Sequence, residues 1–109
     1  MNNELDYTAA RYREAGEVAR QAETAARRAR QVRQSAETLM AHHLSVLVEQ
    51  NGQWATNPEQ GTTLACAQWA VSQWNKARAV EAVACGTADL AHARFADLSR
   101  DVLAASRAR

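Results

Sequence analysis

Residues 15–36 read AGEVARQAETAARRARQVRQSA, and within them Ala15, Ala22, Ala29 and Ala36 recur every seven positions. A residue repeated at that interval sits on one stripe of an α-helix. Only methyl groups project from such a stripe, so a second helix can approach closely. The second half of the chain carries a matching ladder of Ala70, Ala77, Ala84 and Ala91. Folded about a turn near Gln53, Ala36 meets Ala70 and Ala22 meets Ala84. The pattern predicts an all-α fold: an antiparallel two-helix hairpin forming a single domain over 1–109.

The flanking sequence sets the helix limits. The first helix is expected over about 4–50, with Glu4 and Asp6 in its first turn, where acids complement the helix dipole. Gly16 costs the helix up to about 1 kcal/mol relative to alanine, and marks a close contact or a soft spot rather than a break. Asn51 and Gly52 tolerate the left-handed conformation that ends helices. Asn57 then offers a cap, Pro58 suits the first helical position, and Gln60 lies three residues after the cap. The second helix is expected over about 58–105, with Gly86-Thr87 as the place for a kink.

Alternating spacings of four and three extend the ladders into seams. Helix one reads Val18, Ala22, Ala25, Ala29, Val32, Ala36, Leu39, His43 and Val46. Helix two reads Ala67, Ala70, Trp74, Ala77, Glu81, Ala84, Ala88, Ala91, Phe95, Leu98 and Val102. Folding about Gln53 sets Val32 against Trp74, Leu39 against Ala67 and Val18 against Ala88, large against small. The same folding sets Glu81 near Ala25, with Arg27 and Arg28 beside it, and His92 opposite Glu14.

An alanine methyl contributes only about 0.8 kcal/mol on burial, against about 1–2 kcal/mol for fixing each residue's backbone. More apolar surface must therefore be buried. Met40, Leu44, Leu47 and Val48 flank the first seam, and Leu64, Trp69, Val71, Val80, Val83 and Leu90 flank the second. These predict a second face that packs on another copy, giving a homodimeric four-helix bundle, or on a helical protein partner. The expected partner-binding residues are Met40, Leu44, Val48, Trp54, Trp69 and Val71, with tryptophans at the turn end as interface anchors.

Composition narrows the function. Thirteen basic and twelve acidic residues leave a charge of +1, without the basic excess of a nucleic-acid binder. Arg27, Arg28, Arg30 and Arg33 make a local strip of possible phosphate contacts, interrupted by acids such as Glu23. Nucleic-acid association is accordingly the second reading. No apolar run approaches the roughly 20 residues needed to span a bilayer. Met1 to Arg13 is polar and does not read as a secretory signal. Cys66 and Cys85 lie too far apart on one continuous helix to bridge, which suits a reducing, cytoplasmic setting, with signal-independent export left open.

Chemistry-bearing residues are sparse. His42 and His43 are adjacent, about 100° apart on a helix, rather than at the spacing of four that a helical metal site wants. Cys66 lies across from Met40 in this register, near the histidines, but no carboxylate orients them and no third ligand is spaced correctly. No phosphate-cradling glycine loop and no paired-carboxylate motif occurs. The expectation is a non-enzymatic protein with no cofactor, no metal and no small-molecule substrate.

In length and layout the chain resembles the small Trp-x-Gly hairpin proteins exported by type VII secretion systems, helical hairpins that dimerise and carry tryptophan and glycine at the turn. Here the turn reads Gly52-Gln53-Trp54, the reverse order, and Phe95-Ala96-Asp97-Leu98-Ser99 does not match that family's C-terminal Tyr-x-x-x-Asp/Glu pattern. The resemblance is one of architecture, and it implies a self-associating scaffold, adaptor or secretion-linked chaperone or substrate.

Overall fold

Acids at positions 4 and 6 and a run of good helix formers start α1, which spans Asn3–Glu49. Pro58, without an amide hydrogen to lose, starts α2, which spans Pro58–Arg107. The computed structural model describes residues 3–50 and 58–108, with side chains over 3–50 and 63–108. The expected stop at Asn51-Gly52 and cap at Asn57 lie outside the described residues. No strand occurs among the described residues, and the two long helices match the hairpin read from sequence. At Gly86-Thr87 the expected kink is not a break. Helical hydrogen bonding continues through it, and the Thr87 hydroxyl donates to the Val83 carbonyl at 3.0 Å.

The chain divides into two compact units. The terminal unit joins Met1–Arg27 to Ala82–Arg109, and the central unit is Arg28–Glu81. Within the terminal unit, α1 contributes a buried or half-buried row of Thr8, Tyr12, Ala15, Ala19, Ala22 and Ala26. It faces Ala84, Ala88, Ala91, Phe95, Leu98, Val102 and Ala105 of α2. Within the central unit the rows are Ala29, Arg33, Ala36, Met40, His43 and Leu47 against Thr63, Ala67, Ala70, Trp74, Ala77 and Glu81. Both rows alternate spacings of three and four, the coiled-coil seam.

The seam of α2 is the one its sequence spells. The seam of α1 keeps Ala22, Ala29, Ala36 and His43 but takes Ala19, Ala26, Arg33, Met40 and Leu47 in place of Val18, Ala25, Val32, Leu39 and Val46. Val18 and Val32 are instead 51% and 61% exposed. Only Ala19 for Val18 is a smaller side chain; Arg33, Met40 and Leu47 are as large as or larger than the residues they displace, and Arg33 is held there by its pairing with Glu81.

The expected partners are corrected in the same way. Glu81 accepts a hydrogen bond from Arg33 Nε at 2.8 Å, rather than lying at Ala25. His92 Nε2 lies 3.1 Å from Glu23, rather than opposite Glu14. These partners lie eight and nine positions further along α1, about one heptad plus the change of seam position. An alanine ladder cannot resolve this. Sliding one helix by seven residues sets alanine on alanine again.

Two features break the degeneracy. In the terminal unit, Phe95 stacks on Tyr12, ring centroids 4.8 Å apart and 25° between planes. Its ring covers Gly16, where an added Cβ would sit 3.0 Å from Phe95 Cε1. The glycine is thus a close contact, one of the two roles its sequence allows. In the central unit, the Arg33 guanidinium bridges Glu81 and, at 2.6 Å, Glu37. A seam charge so placed selects alignment, because a slip by one heptad sets Glu81 against Ala26 or Met40 and leaves Arg33 only Glu37 of its own helix. Hydrogen bonding to Glu81 first, and to Glu37 second, raises the Arg33 pKa above its ordinary value. The sign follows directly: stability from a raised pKa is fully present below the ordinary arginine range and is lost only above it. Alkaline titration of Arg33 therefore does not open the pair at any moderate pH.

The two helical glycines give opposed expectations. Nothing lies within 4 Å of a Cβ built at Gly86. Gly86→Ala should stabilise the chain by about 0.5–1 kcal/mol through helix propensity. Gly16→Ala should gain less, because the Phe95 ring must give way. Urea denaturation of the two variants in parallel checks the difference; equal gains would contradict the close contact at Gly16.

Candidate functional site

With alanine closing the seam, the larger apolar side chains are left beside it. In the central unit they fall on two flanks. The first flank follows from heptad positions next to Met40 and Leu47 on α1 and next to Ala67 and Trp74 on α2. It carries Leu44, Val48, Leu64 and Val71. Leu44, Leu47, Leu64, Ala67, Gln68 and Val71 line an open groove of about 240 Å³ there. Val48, one turn beyond Leu44, is 72% exposed. Ala41, Gln68 and Asn75 on this flank are uncharged, with Glu37 and Arg78 one heptad beyond Leu44 and Val71 in the same rows.

The second flank lies across the seam. Heptad spacing places Val32, Leu39 and Val46 in one row of α1, and Cys66, Gln73 and Val80 in the facing row of α2, with Trp69 just outside. Trp69 is 54% and Val80 60% exposed. His42 and Ser35 border this flank on α1 and Lys76 on α2, with Arg28 and Glu49 at the two ends of the α1 border. Arg28 and Glu49 are exposed and make no ion pair among the described residues.

The structure therefore distributes the expected partner-binding residues. It brings Leu44, Val48 and Val71 to one flank, puts Met40 half-buried in the seam between, and sets Trp69 on the opposite flank. Trp54 lies outside the described residues. Val32, Leu39 and Val46 were missed as surface residues because an apolar residue beside an alanine ladder reads as seam. Only Val32 carried a signal, its charged neighbour Arg33; Leu39 and Val46 are followed by Met40 and Leu47, apolar residues of similar or greater size.

The arginine strip is largely engaged. Arg33 is held by Glu81 and Glu37, Arg27 lies 3.8 Å from Glu23, and Arg30 is also partnered. Arg28 alone of the four is left to solvent. In the terminal unit, Arg11 and Arg94 share a groove of about 130 Å³ with Glu14, whose carboxylate offsets them, and with Ala15, Val18 and Ala91.

The remaining polar groups do not converge. His43 is half-buried in the seam and His42 exposed, their rings edge to face at 5.5 Å. Among the described residues no cluster of three or more His, Cys, Asp or Glu side chains is placed to hold a metal ion. Cys66 and Cys85 are both half-buried thiols. The Trp74 indole lies under Arg78, 4.9 Å from its ring centroid to the guanidinium carbon, and its Nε1 is buried without a hydrogen-bond partner. Among the described residues no helix is long and apolar enough to cross a membrane. No protein-family model, no curated protein and no solved structure matches this chain, so the likeness to Trp-x-Gly hairpins rests on helix layout alone.

Proposed function

We propose that this chain is a non-enzymatic interaction protein, a self-associating helical hairpin that serves as a scaffold, adaptor or secretion-linked chaperone or substrate. One observation carries the reading. In the central unit, Val32, Leu39, Leu44, Val48, Leu64, Trp69 and Val80 are all exposed, while alanines fill much of the seam. Soluble monomers scatter such residues singly, and contiguous apolar rows mark surfaces that other molecules cover. Tryptophan among them is the residue most often found anchoring an interface. The working setting is the cytoplasm, with signal-independent export as a further step.

Sedimentation equilibrium at micromolar concentration tests the reading. The expected result is a dimer. A compact, stable monomer throughout that range would overturn it.

A further inference from the structure

We propose that a second copy of this chain docks on the flank formed by Val32, Leu39, Val46, Trp69 and Val80, antiparallel, with Leu39 on the two-fold axis. The inference rests on the self-associating reading and names its face, its orientation and its register.

A two-fold contact needs a surface that is its own complement. Val32 and Val46 lie seven positions either side of Leu39, so reversing α1 about Leu39 sets valine on valine and leucine on leucine. Arg28 and Glu49, the exposed charges at the ends of the same border, lie symmetrically about the midpoint of Thr38 and Leu39. The reversal therefore brings Arg28 of one copy to Glu49 of the other, twice per dimer, and gives both charges the opposite partner they lack among the described residues. Ser35 and His42 exchange places by the same operation.

Helix α2 obeys the same axis independently. Trp69 and Val80 are symmetric about the midpoint of Trp74 and Asn75, and Gln73 and Lys76 share that midpoint. The ion pair of Arg33 with Glu81 fixes how the helices align. Six residues from Arg33 towards the turn is Leu39, and six residues back from Glu81 is Asn75. The two centres thus fall at one level of the hairpin, and a single axis serves both helices.

The alternative two-fold places α1 over α2 of the partner. There Arg28 and Glu49 meet no opposite charge, since Lys76, the charged residue of α2 on this flank, falls at the level of Thr38, eleven positions from Glu49 and ten from Arg28. The face is adequate in size: two helices, each about 10 Å across, over the roughly 30 Å from Arg28 to Glu49, present an area on the order of the 800 Å² each partner gives to a stable interface.

Charge exchange provides the test, on the full chain, by sedimentation equilibrium. Arg28→Glu alone sets like charges together twice, and should weaken the dimer by about tenfold or more in Kd. Glu49→Arg alone should do the same. The double variant R28E/E49R restores the pairs and should return Kd to within about twofold of the original. Leu39→Asp, which sets two carboxylates on the axis, should leave a monomer, with circular dichroism showing helix retained; L44D, on the other flank, should leave the dimer intact. A dimer that none of the flank variants weakens would overturn this face and register while leaving self-association standing. A monomeric unaltered chain would overturn both. Should Leu39→Asp fail to fold, the exchange at Arg28 and Glu49, both at the solvent edge, decides alone.

Discussion

Ala70→Leu is expected to destabilise the central unit by about 2–3 kcal/mol. Ala70 is 1% exposed, the least of any described alanine in the seam. Leucine adds three carbons where only a methyl fits, and either the helices part or the side chain takes a strained rotamer. If the helices part, the neighbouring contacts of Ala67 and Ala77 loosen with it, and the Arg33 to Glu81 bond lengthens. Ala79→Leu makes the control, because that side chain is exposed, lies on neither flank and should change stability little. Tryptophan fluorescence during urea denaturation is the measurement, since Trp69 and Trp74 both belong to the central unit. Should Ala70→Leu stabilise the chain as an ordinary cavity-filling change does, the methyl-to-methyl seam would be the wrong account of this fold.

The same contrast explains what the sequence made legible. Helix limits were plain, because acids, Pro58 and strong helix formers act locally. The seam of α2 was plain too: Trp74, Phe95 and Leu98 stand at the alternate positions with smaller or polar neighbours. In α1 each alternate position offered two adjacent candidates, such as Val18 with Ala19 and Val32 with Arg33. Hydrophobicity favoured the valines. Closeness of packing favoured the alanine, and in Arg33 a charge was accepted because Glu81 stands opposite. The register escaped for a different reason. A seven-residue alanine repeat has equivalent alignments one heptad apart, and the residues that distinguish them, Gly16 with Phe95 and Arg33 with Glu81, declare themselves only once both helices are seen together. The candidate surface inherits both effects: Leu44, Val48, Trp69, Val71 and Val80 were read as flanking residues, whereas Val32, Leu39 and Val46 were hidden inside the expected seam of α1.

Phe95→Ala should cost the terminal unit about 2–3 kcal/mol, less than the 3–5 kcal/mol of a wholly buried phenylalanine because the ring is only half-buried. The loss has three parts: the stack on Tyr12, the cover over Gly16, and the one large side chain that distinguishes this register from its neighbours. The third part makes the variant informative beyond its magnitude. With Phe95 present, Gly16→Ala gains helix propensity but pushes against Cε1; once the ring is cut back to a methyl, nothing opposes the new Cβ, and the full gain of about 1 kcal/mol returns. The two changes should therefore couple, Gly16→Ala being more favourable by about 0.5–1 kcal/mol in the Phe95→Ala background. Because no tryptophan lies in this unit, amide hydrogen exchange over α1 and α2 near Tyr12, Ala19, Ala88 and Leu98 is the appropriate readout. Protection should fall on Phe95→Ala and recover in part on adding Gly16→Ala. An effect of Gly16→Ala that is the same in both backgrounds would mean that the ring does not rest on the glycine, and the lock that sets the terminal unit's alignment would have to be sought in the Glu23 to His92 contact instead.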